Sequence, residues 1–131
     1  MGELIDHIKE HRRHHQDSLD HAVDGLKWAI RTQPNFKFHF FFSLCVIFLG
    51  IVYSISQAEW ALIFLTVTFG LAMEMFNTVA ESLTDLIKKE YDTDAKIVKD
   101  VAAAMMFIAA IGAAIVGGVI FIPRFINCFL G

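Results

Sequence analysis

The sequence predicts an all-α integral membrane protein, with three transmembrane helices and an N-terminal amphipathic surface helix. Three observations predict it. The chain has 131 residues and a hydrophobic fraction of 56%, too apolar for an ordinary soluble domain of that size. The apolar residues gather into three long stretches rather than spreading through the chain. Lys and Arg fall almost wholly on one side of those stretches. One domain is the expectation at this length, organised as an amphipathic region over 1–35 and a three-helix transmembrane body over 36–131.

Residues 1–35 are polar, with apolar residues at helical spacing: Leu4, Ile5 and Ile8, then Leu19, Ala22, Val23, Leu26, Ala29 and Ile30. The second group follows an i, i+3, i+4, i+7 stripe. Asp24, Lys27 and Arg31 lie off it, which suits a helix lying on a membrane surface with Trp28 at headgroup level. Pro34 ends this helix, because it offers no backbone N–H and restricts the residue before it. No short apolar segment of signal-peptide type follows the polar start.

The first span is expected over Phe38–Ile55. At about 1.5 Å per residue it reaches roughly 27 Å, close to a hydrocarbon core of about 30 Å. Its run of Phe36, Phe38, Phe40, Phe41 and Phe42 reads as lipid-facing bulk, and His39 as a hydrogen-bonding residue just inside the span. "SQAE" is a short turn, and Trp60 opens a second span running through Phe76. The third span, from about Val101 to Ile122, is rich in Ala and Gly. Small residues let helices approach closely in lipid, and Ala109, Gly112, Ala113, Val116 and Gly117 suggest a contact face.

Lys9, Arg12, Arg13, Lys27, Arg31 and Lys37 precede the first span, and Lys88, Lys89, Lys96 and Lys99 lie between the second and third. The turn between the first two spans has no Lys or Arg, and only Arg124 follows the third. The positive-inside rule therefore places the N-terminus and the 86–100 loop in the cytoplasm.

One stretch breaks the apolar pattern. "EMFNTVAESLTD", Glu74 to Asp85, continues the second span with three carboxylates and an amide. At about 100° per residue, Glu74, Asn77, Glu81 and Asp85 fall within about 80° of arc on one helix face. With Trp60 at the outer interface, Glu74 lies about 21 Å further in and Glu81 about 31 Å in. Glu74 is then still within the hydrocarbon, while Glu81 and Asp85 reach the cytoplasmic headgroups. A carboxylate at Glu74's depth costs about 2.5–3.5 kcal/mol on insertion scales. A buried polar cluster holding the bundle together is one reason to keep it; a functional site at the membrane boundary is the other. Lys99 and Asp100, at the start of the third span, are expected at the level of Glu81 and Asp85.

Acidic side chains suit magnesium, which prefers oxygen ligands. Carboxylates beside lysines suit phosphoryl transfer, which depends on positioning and charge neutralisation. Glu74, in apolar surroundings, could take the proton of a lipid hydroxyl that cannot leave the bilayer. No Walker-type or kinase-type glycine loop is present.

The segment "EMFNTVAESLTD" resembles the signature of the prokaryotic diacylglycerol kinase family, roughly E-x-x-N-[ST]-x-x-E-x-x-x-D. "EY" at Glu90–Tyr91 with "AKIVKDVAAA" resembles that family's cytoplasmic loop and the start of its third span. "GLKWAIRTQPNFKFH" resembles its surface helix and the start of its first span. The resemblance covers about Ala22 to Phe125. It implies a small homotrimeric kinase of the bacterial inner (cytoplasmic) membrane, with active sites shared between subunits, that uses ATP and magnesium to phosphorylate a lipid alcohol. By resemblance Glu74 is the catalytic base, Asn77 positions the phosphates or the base, Glu81 binds magnesium, Lys99 and Asp100 contact the nucleotide, and Asp85 orients its neighbours. Arg31 and Lys37 are further candidates for polyphosphate contact. The family often carries Glu where this chain has Gln33, a carbonyl oxygen without charge, so the metal shell departs from the family pattern there. "NFKFH" and "IFIPRF" resemble the Gram-positive undecaprenol kinase branch, which implies undecaprenol rather than diacylglycerol as substrate. The expected partners are therefore ATP, the lipid alcohol, the membrane and further copies of the chain, with no nucleic acid.

Two other readings compete. A non-catalytic membrane adaptor with this fold would not need the full acidic set. A proton or metal conduit would need polar residues in the outer half of the spans, where Trp60 to Leu71 offers only Thr66 and Thr68. His7, His11 and His15, at i, i+4, i+8, suggest a mixed-charge helix face before a metal site. Cys45 and Cys128 fit neither a zinc site nor a disulfide framework, and Met73, Met75, Met105 and Met106 read as packing residues.

Overall fold

A computed structural model describes the backbone of residues 2–87 and 90–130, and the side chains of residues 17–87 and 90–128. His7, His11 and His15 have their side chains outside the described residues, as do Lys88 and Lys89. The described chain is all-helical: α1 (Gly2–Thr32), α2 (Pro34–Val52), α3 (Gln57–Ile87) and α4 (Thr93–Leu130). The last three are each long and apolar enough to cross a membrane. The chain divides into two compact units, Met1–Pro34 and Asn35–Gly131.

In the first unit, α1 is one continuous helix. Leu19, Val23, Leu26 and Ile30 are exposed and share one face by their spacing. Lys27 pairs with Asp24 at 3.1 Å. Thr32 donates its hydroxyl to the Trp28 carbonyl at 2.8 Å in the last turn.

Pro34, the last residue of the first unit, stands at the first position of α2, where its missing N–H costs nothing and its fixed φ suits a helix; the rest of α2 and the later helices form the second unit. The helix thus begins before the expected Phe38 and ends at Val52, before the expected Ile55. The early end has a local cause. Ser54 adopts a left-handed φ of 47°, the Ile55 N–H bonds the Gly50 carbonyl at 3.1 Å, and the Ser54 N–H bonds the Ile51 carbonyl at 3.2 Å. This is a Schellman cap with serine in the position usually held by glycine. Gly50 is required by a second contact, since a Cβ there would lie 2.8 Å from the Trp60 ring.

The next helix opens with a capping box. The Ser56 N–H donates to the Glu59 carboxylate at 2.8 Å, and the Glu59 N–H donates to the Ser56 hydroxyl at 3.3 Å. No turn residue interrupts α3 after Phe76, and it continues to Ile87. Asp92 caps α4, its carboxylate accepting from the N–H groups of Asp94 and Ala95 at 2.9 and 3.1 Å. That helix passes through Pro123 to Leu130. Proline removes the N–H that would bond the carbonyl four residues back. The next residue, Arg124, donates Nη1 to the Ile120 carbonyl at 2.5 Å.

Two ion pairs mark the ends of the α3–α4 hairpin. Arg124 donates to Glu59 at 2.8 Å at one end, and Lys99 pairs with Asp85 at the other. The two stretches between them, Glu59 to Asp85 and Lys99 to Arg124, measure about 39 and about 38 Å at helical rise. They match, so the helices run antiparallel in register. Both exceed a hydrocarbon core of about 30 Å, so each pair falls at a headgroup zone.

The packed apolar core lies toward the Glu59 end. Ile55, Ile63, Ile120 and Phe121 are buried there, with Leu49, Tyr53 and Trp60 against them. Toward the other end, the buried side chains of α3 are polar: Glu74, Asn77, Thr78 and Thr84. The small-residue face of α4 is partly engaged, with Ala109 buried, Ala113, Val116 and Gly117 half-buried, and Gly112 exposed. The phenylalanine run divides. Phe38, Phe41 and Phe42 are exposed as expected of lipid-facing bulk, whereas Phe36 is 1% exposed, with its ring stacked on Phe40 at 6.4 Å. Of the methionines, Met106 is buried, Met73 and Met75 half-buried and Met105 exposed. Both cysteines are free.

Candidate phosphoryl-transfer site

Helical geometry carries the site. Gln57–Ile87 forms one helix, so the residues spaced three and four apart in "EMFNTVAESLTD" stand on one ridge. Glu74 is 3% exposed and Asn77 6%, whereas Glu81 and Asp85 are exposed. The ridge therefore runs from a buried carboxylate to open ones. Three threonine hydroxyls along α3 are satisfied within the helix. Thr78 donates to the Glu74 carbonyl at 3.0 Å and Thr84 to the Ala80 carbonyl at 2.6 Å. Thr66, in the outer half, donates to the Leu62 carbonyl at 2.7 Å, which ties it to the backbone rather than to a polar path.

Asn77 connects the buried and exposed parts. Its amide donates to Glu81 Oε1 at 3.1 Å, one helical turn away. Its other end, Oδ1, is buried without a hydrogen-bond partner. A buried unsatisfied acceptor costs about 1–3 kcal/mol, so this oxygen marks a place where a donor belongs. Asp85 is held from α4 by Lys99, and Lys96 pairs with Asp100 on the solvent side. These pairs are largely exposed, and such pairs are worth about 0–1 kcal/mol. They contribute little to holding the helices together, so Lys99 and Asp100 can exchange partners at small cost.

Four of the sequence candidates are thus linked in pairs, Asn77 with Glu81 along α3 and Asp85 with Lys99 across to α4, while Asp100 pairs with Lys96 on its own helix. Glu74 lies on the same ridge, one turn deeper than Asn77. Lys37 is exposed on α2. Arg31 and Gln33 belong to the first unit, where Arg31 is exposed and Gln33 donates its amide to the Thr32 hydroxyl at 3.4 Å.

Among the described residues, no three His, Cys, Asp or Glu side chains converge on a ready-made metal site. Magnesium does not need one, because it keeps several waters and is held by one or two carboxylates plus substrate phosphates. Exposed Glu81, fixed on one side by Asn77, fits that mode. Two features escaped sequence reasoning. The Glu59–Arg124 pair joins residues far apart in the chain; the capping motif S-x-x-E in "SQAE" was the local signal for Glu59. The side chain of His39 lines an apolar cleft together with Gly70 and Leu71 of α3; the available signal was that a titratable group inside an apolar span calls for a purpose.

Beside this ridge, α2, α3 and α4 enclose an apolar cleft of about 320 Å³. Small residues on α4, among them Ala110, Ala113, Ala114, Gly117 and Gly118, form one wall. Along α4 the cleft extends from Met106 to Phe125, about 28 Å at helical rise. His39, Gly70 and Leu71 line its end nearest Glu74.

Comparison with known proteins places this architecture. The family model of prokaryotic diacylglycerol kinase matches residues 20–121. An undecaprenol kinase of Bacillus subtilis (strain 168) is 34% identical over 119 residues, covering 91% of this chain and 96% of the relative. A diacylglycerol kinase of a Synechocystis species is 35% identical over 111 residues, covering 84% of this chain and 63% of the relative. A helix bundle with three membrane-spanning helices, an acidic ridge on the second and a family match over most of its length identify the chain as a lipid kinase of the prokaryotic diacylglycerol kinase family.

Proposed function

We propose that this kinase transfers the terminal phosphoryl group of ATP to undecaprenol, in preference to diacylglycerol, at the cytoplasmic face of the bacterial inner membrane. The observation that carries the reading is the ridge on α3, graded from buried Glu74 to exposed Glu81, with the unpartnered Asn77 oxygen between them. Glu74 takes the proton of the lipid hydroxyl as that oxygen bonds to the terminal phosphorus and the bond to the bridging oxygen of ADP breaks. Asn77 orients Glu81 through its amide and offers its free oxygen to a donor at the reacting centre. Glu81 holds magnesium, which when bound neutralises the polyphosphate charge, and Gln33 is the second candidate for its shell. Lys99 leaves Asp85 to meet the nucleotide phosphates. Asp100 contacts the nucleotide, and Arg31 and Lys37 supply further positive charge.

The apolar cleft, about as long as the hydrocarbon core is thick, suits the chain of a lipid whose hydroxyl must end beside Glu74. Undecaprenol is favoured by "NFKFH" and "IFIPRF", and by the near-complete coverage of the relative named undecaprenol kinase. The enzyme works as a homotrimer with the N-terminus and the 86–100 loop in the cytoplasm, as the distribution of Lys and Arg supports.

Purified protein in micelles, given radiolabelled ATP, magnesium and either lipid, tests the reading. kcat/KM for undecaprenol should exceed that for diacylglycerol by about tenfold or more, a difference that pocket contacts can supply. Equal or reversed values would overturn the substrate preference, and transfer to neither lipid would overturn the kinase mechanism.

A further inference from the structure

Glycine is a poor helix residue, because it loses more backbone freedom on folding than any other and brings no side chain to the packing. At Gly50 the close approach of Trp60 requires it. Gly70 in α3 and Gly117 in α4 have no such reason: a Cβ at either would meet nothing within 4 Å. Yet both line the same apolar cleft, from opposite helices. Their missing side chains widen the cleft rather than let two helices touch.

The cleft suits a hydrocarbon chain with one polar end. Of the polar side chains on its walls, Ser43 and Thr66 donate their hydroxyls to carbonyls of their own helices, at 2.8 and 2.7 Å. His39, at the inner end beside Gly70 and Leu71, is the other. The Glu59–Arg124 pair sets α3 and α4 in register. On that register Gly70 lies about 6 Å outward from Glu74, and Gly117 about 12 Å outward. A lipid chain that runs outward from a hydroxyl beside Glu74 passes Gly70 first and Gly117 second.

We propose that Gly70 and Gly117 are specificity-determining residues: bare positions that hold the cleft open at two depths, so that it takes the hydrocarbon chain of a long lipid alcohol. Chain length is read at Gly117, and any chain at all must pass Gly70. This inference rests on the reading of the chain as a kinase whose lipid hydroxyl meets Glu74.

The test measures kcat and KM in micelles for a series of prenols from geraniol to undecaprenol. The variants are Gly70→Leu, Gly117→Leu, Gly117→Ala and Gly112→Leu. Gly112 is the control, since a Cβ there also meets nothing within 4 Å but the residue is exposed and does not line the cleft. Gly117→Leu should lower kcat/KM for undecaprenol by about tenfold or more, a difference that pocket contacts can supply. KM for ATP should stay within about twofold of wild type, and geraniol, too short to reach position 117, should be used as well as by wild type. Gly70→Leu should lower transfer to every prenol. Gly117→Ala and Gly112→Leu should match wild type within about twofold.

An undecaprenol kcat/KM within about twofold of wild type for Gly117→Leu would overturn the proposal. So would an equal loss for geraniol and undecaprenol, or an equal loss in Gly112→Leu. A changed oligomeric state of Gly117→Leu on elution would assign the cleft to a second copy of the chain and overturn it too. If wild type does not accept geraniol, the undecaprenol comparison decides alone. If Gly117→Leu does not fold, Gly117→Val carries the same comparisons. A wild-type protein that transfers phosphate to neither undecaprenol nor diacylglycerol removes the kinase mechanism itself. An active wild type beside an unimpaired Gly117→Leu removes only the role of the glycines.

Discussion

Glu74→Gln should fold normally and transfer phosphate about 10²–10⁴-fold more slowly than wild type, the range that one positioned base contributes. Glutamine has the shape of glutamate and loses only the ability to accept the proton. Its fold should hold, because a charged carboxyl at this depth costs about 2.5–3.5 kcal/mol on insertion scales and the amide escapes that cost. The helix around it is intact without the side chain's charge: the Glu74 carbonyl, not its carboxylate, receives the Thr78 hydroxyl. The loss should fall on kcat, with KM for ATP little changed, since the base acts on the lipid hydroxyl in the transition state. Initial rates at saturating ATP and lipid, beside a native elution profile, measure both parts.

Glu81→Gln should act on magnesium. It is expected to raise the magnesium concentration for half-maximal rate by about tenfold or more, because a hard cation loses its charged oxygen ligand. Here again the substitution spares the scaffold. Asn77 donates its amide to Glu81 Oε1, and glutamine keeps an oxygen at that position. Rate measured against free magnesium at fixed ATP reads the effect, and an unshifted curve would remove Glu81 from the metal shell. The two variants separate by kind: Glu74→Gln is not rescued by magnesium, whereas Glu81→Gln is, at least in part.

What the sequence made legible follows the physics that acts locally. Three apolar runs, charges on one side and a ridge of polar residues at three- and four-residue spacing depend only on helical period and bilayer thickness, so they could be read without coordinates. Where the helices stop was harder. The second helix ends at Val52 because Ser54 takes a left-handed φ that its side chain does not announce, and because Gly50 lets Trp60 approach. Phe36 is buried among lipid-facing phenylalanines, a difference set by tertiary contact and invisible to composition. At the site, the ridge itself was legible. The pairings across helices were not: Lys99 with Asp85 and Arg124 with Glu59 join residues that only the antiparallel register of α3 and α4 brings together. Likewise, His39 read as an interface residue until α2 and α3 brought it with Gly70 and Leu71 to the wall of the apolar cleft.

The proposed mechanism requires the exposed end of the α3 ridge to grip the metal–polyphosphate assembly. Manganese, another cation suited to carboxylate ligands, can report this directly when bound with ATP. In a chain with Cys45 and Cys128 replaced, a nitroxide is placed by Ser82→Cys, beside Glu81, or by Leu62→Cys, about 30 Å back along the same helix; both positions are exposed. Adding manganese with ATP should strongly broaden the spectrum of the label at position 82 and leave that at position 62 unchanged. Equal broadening at both positions, or broadening confined to position 62, would contradict the account.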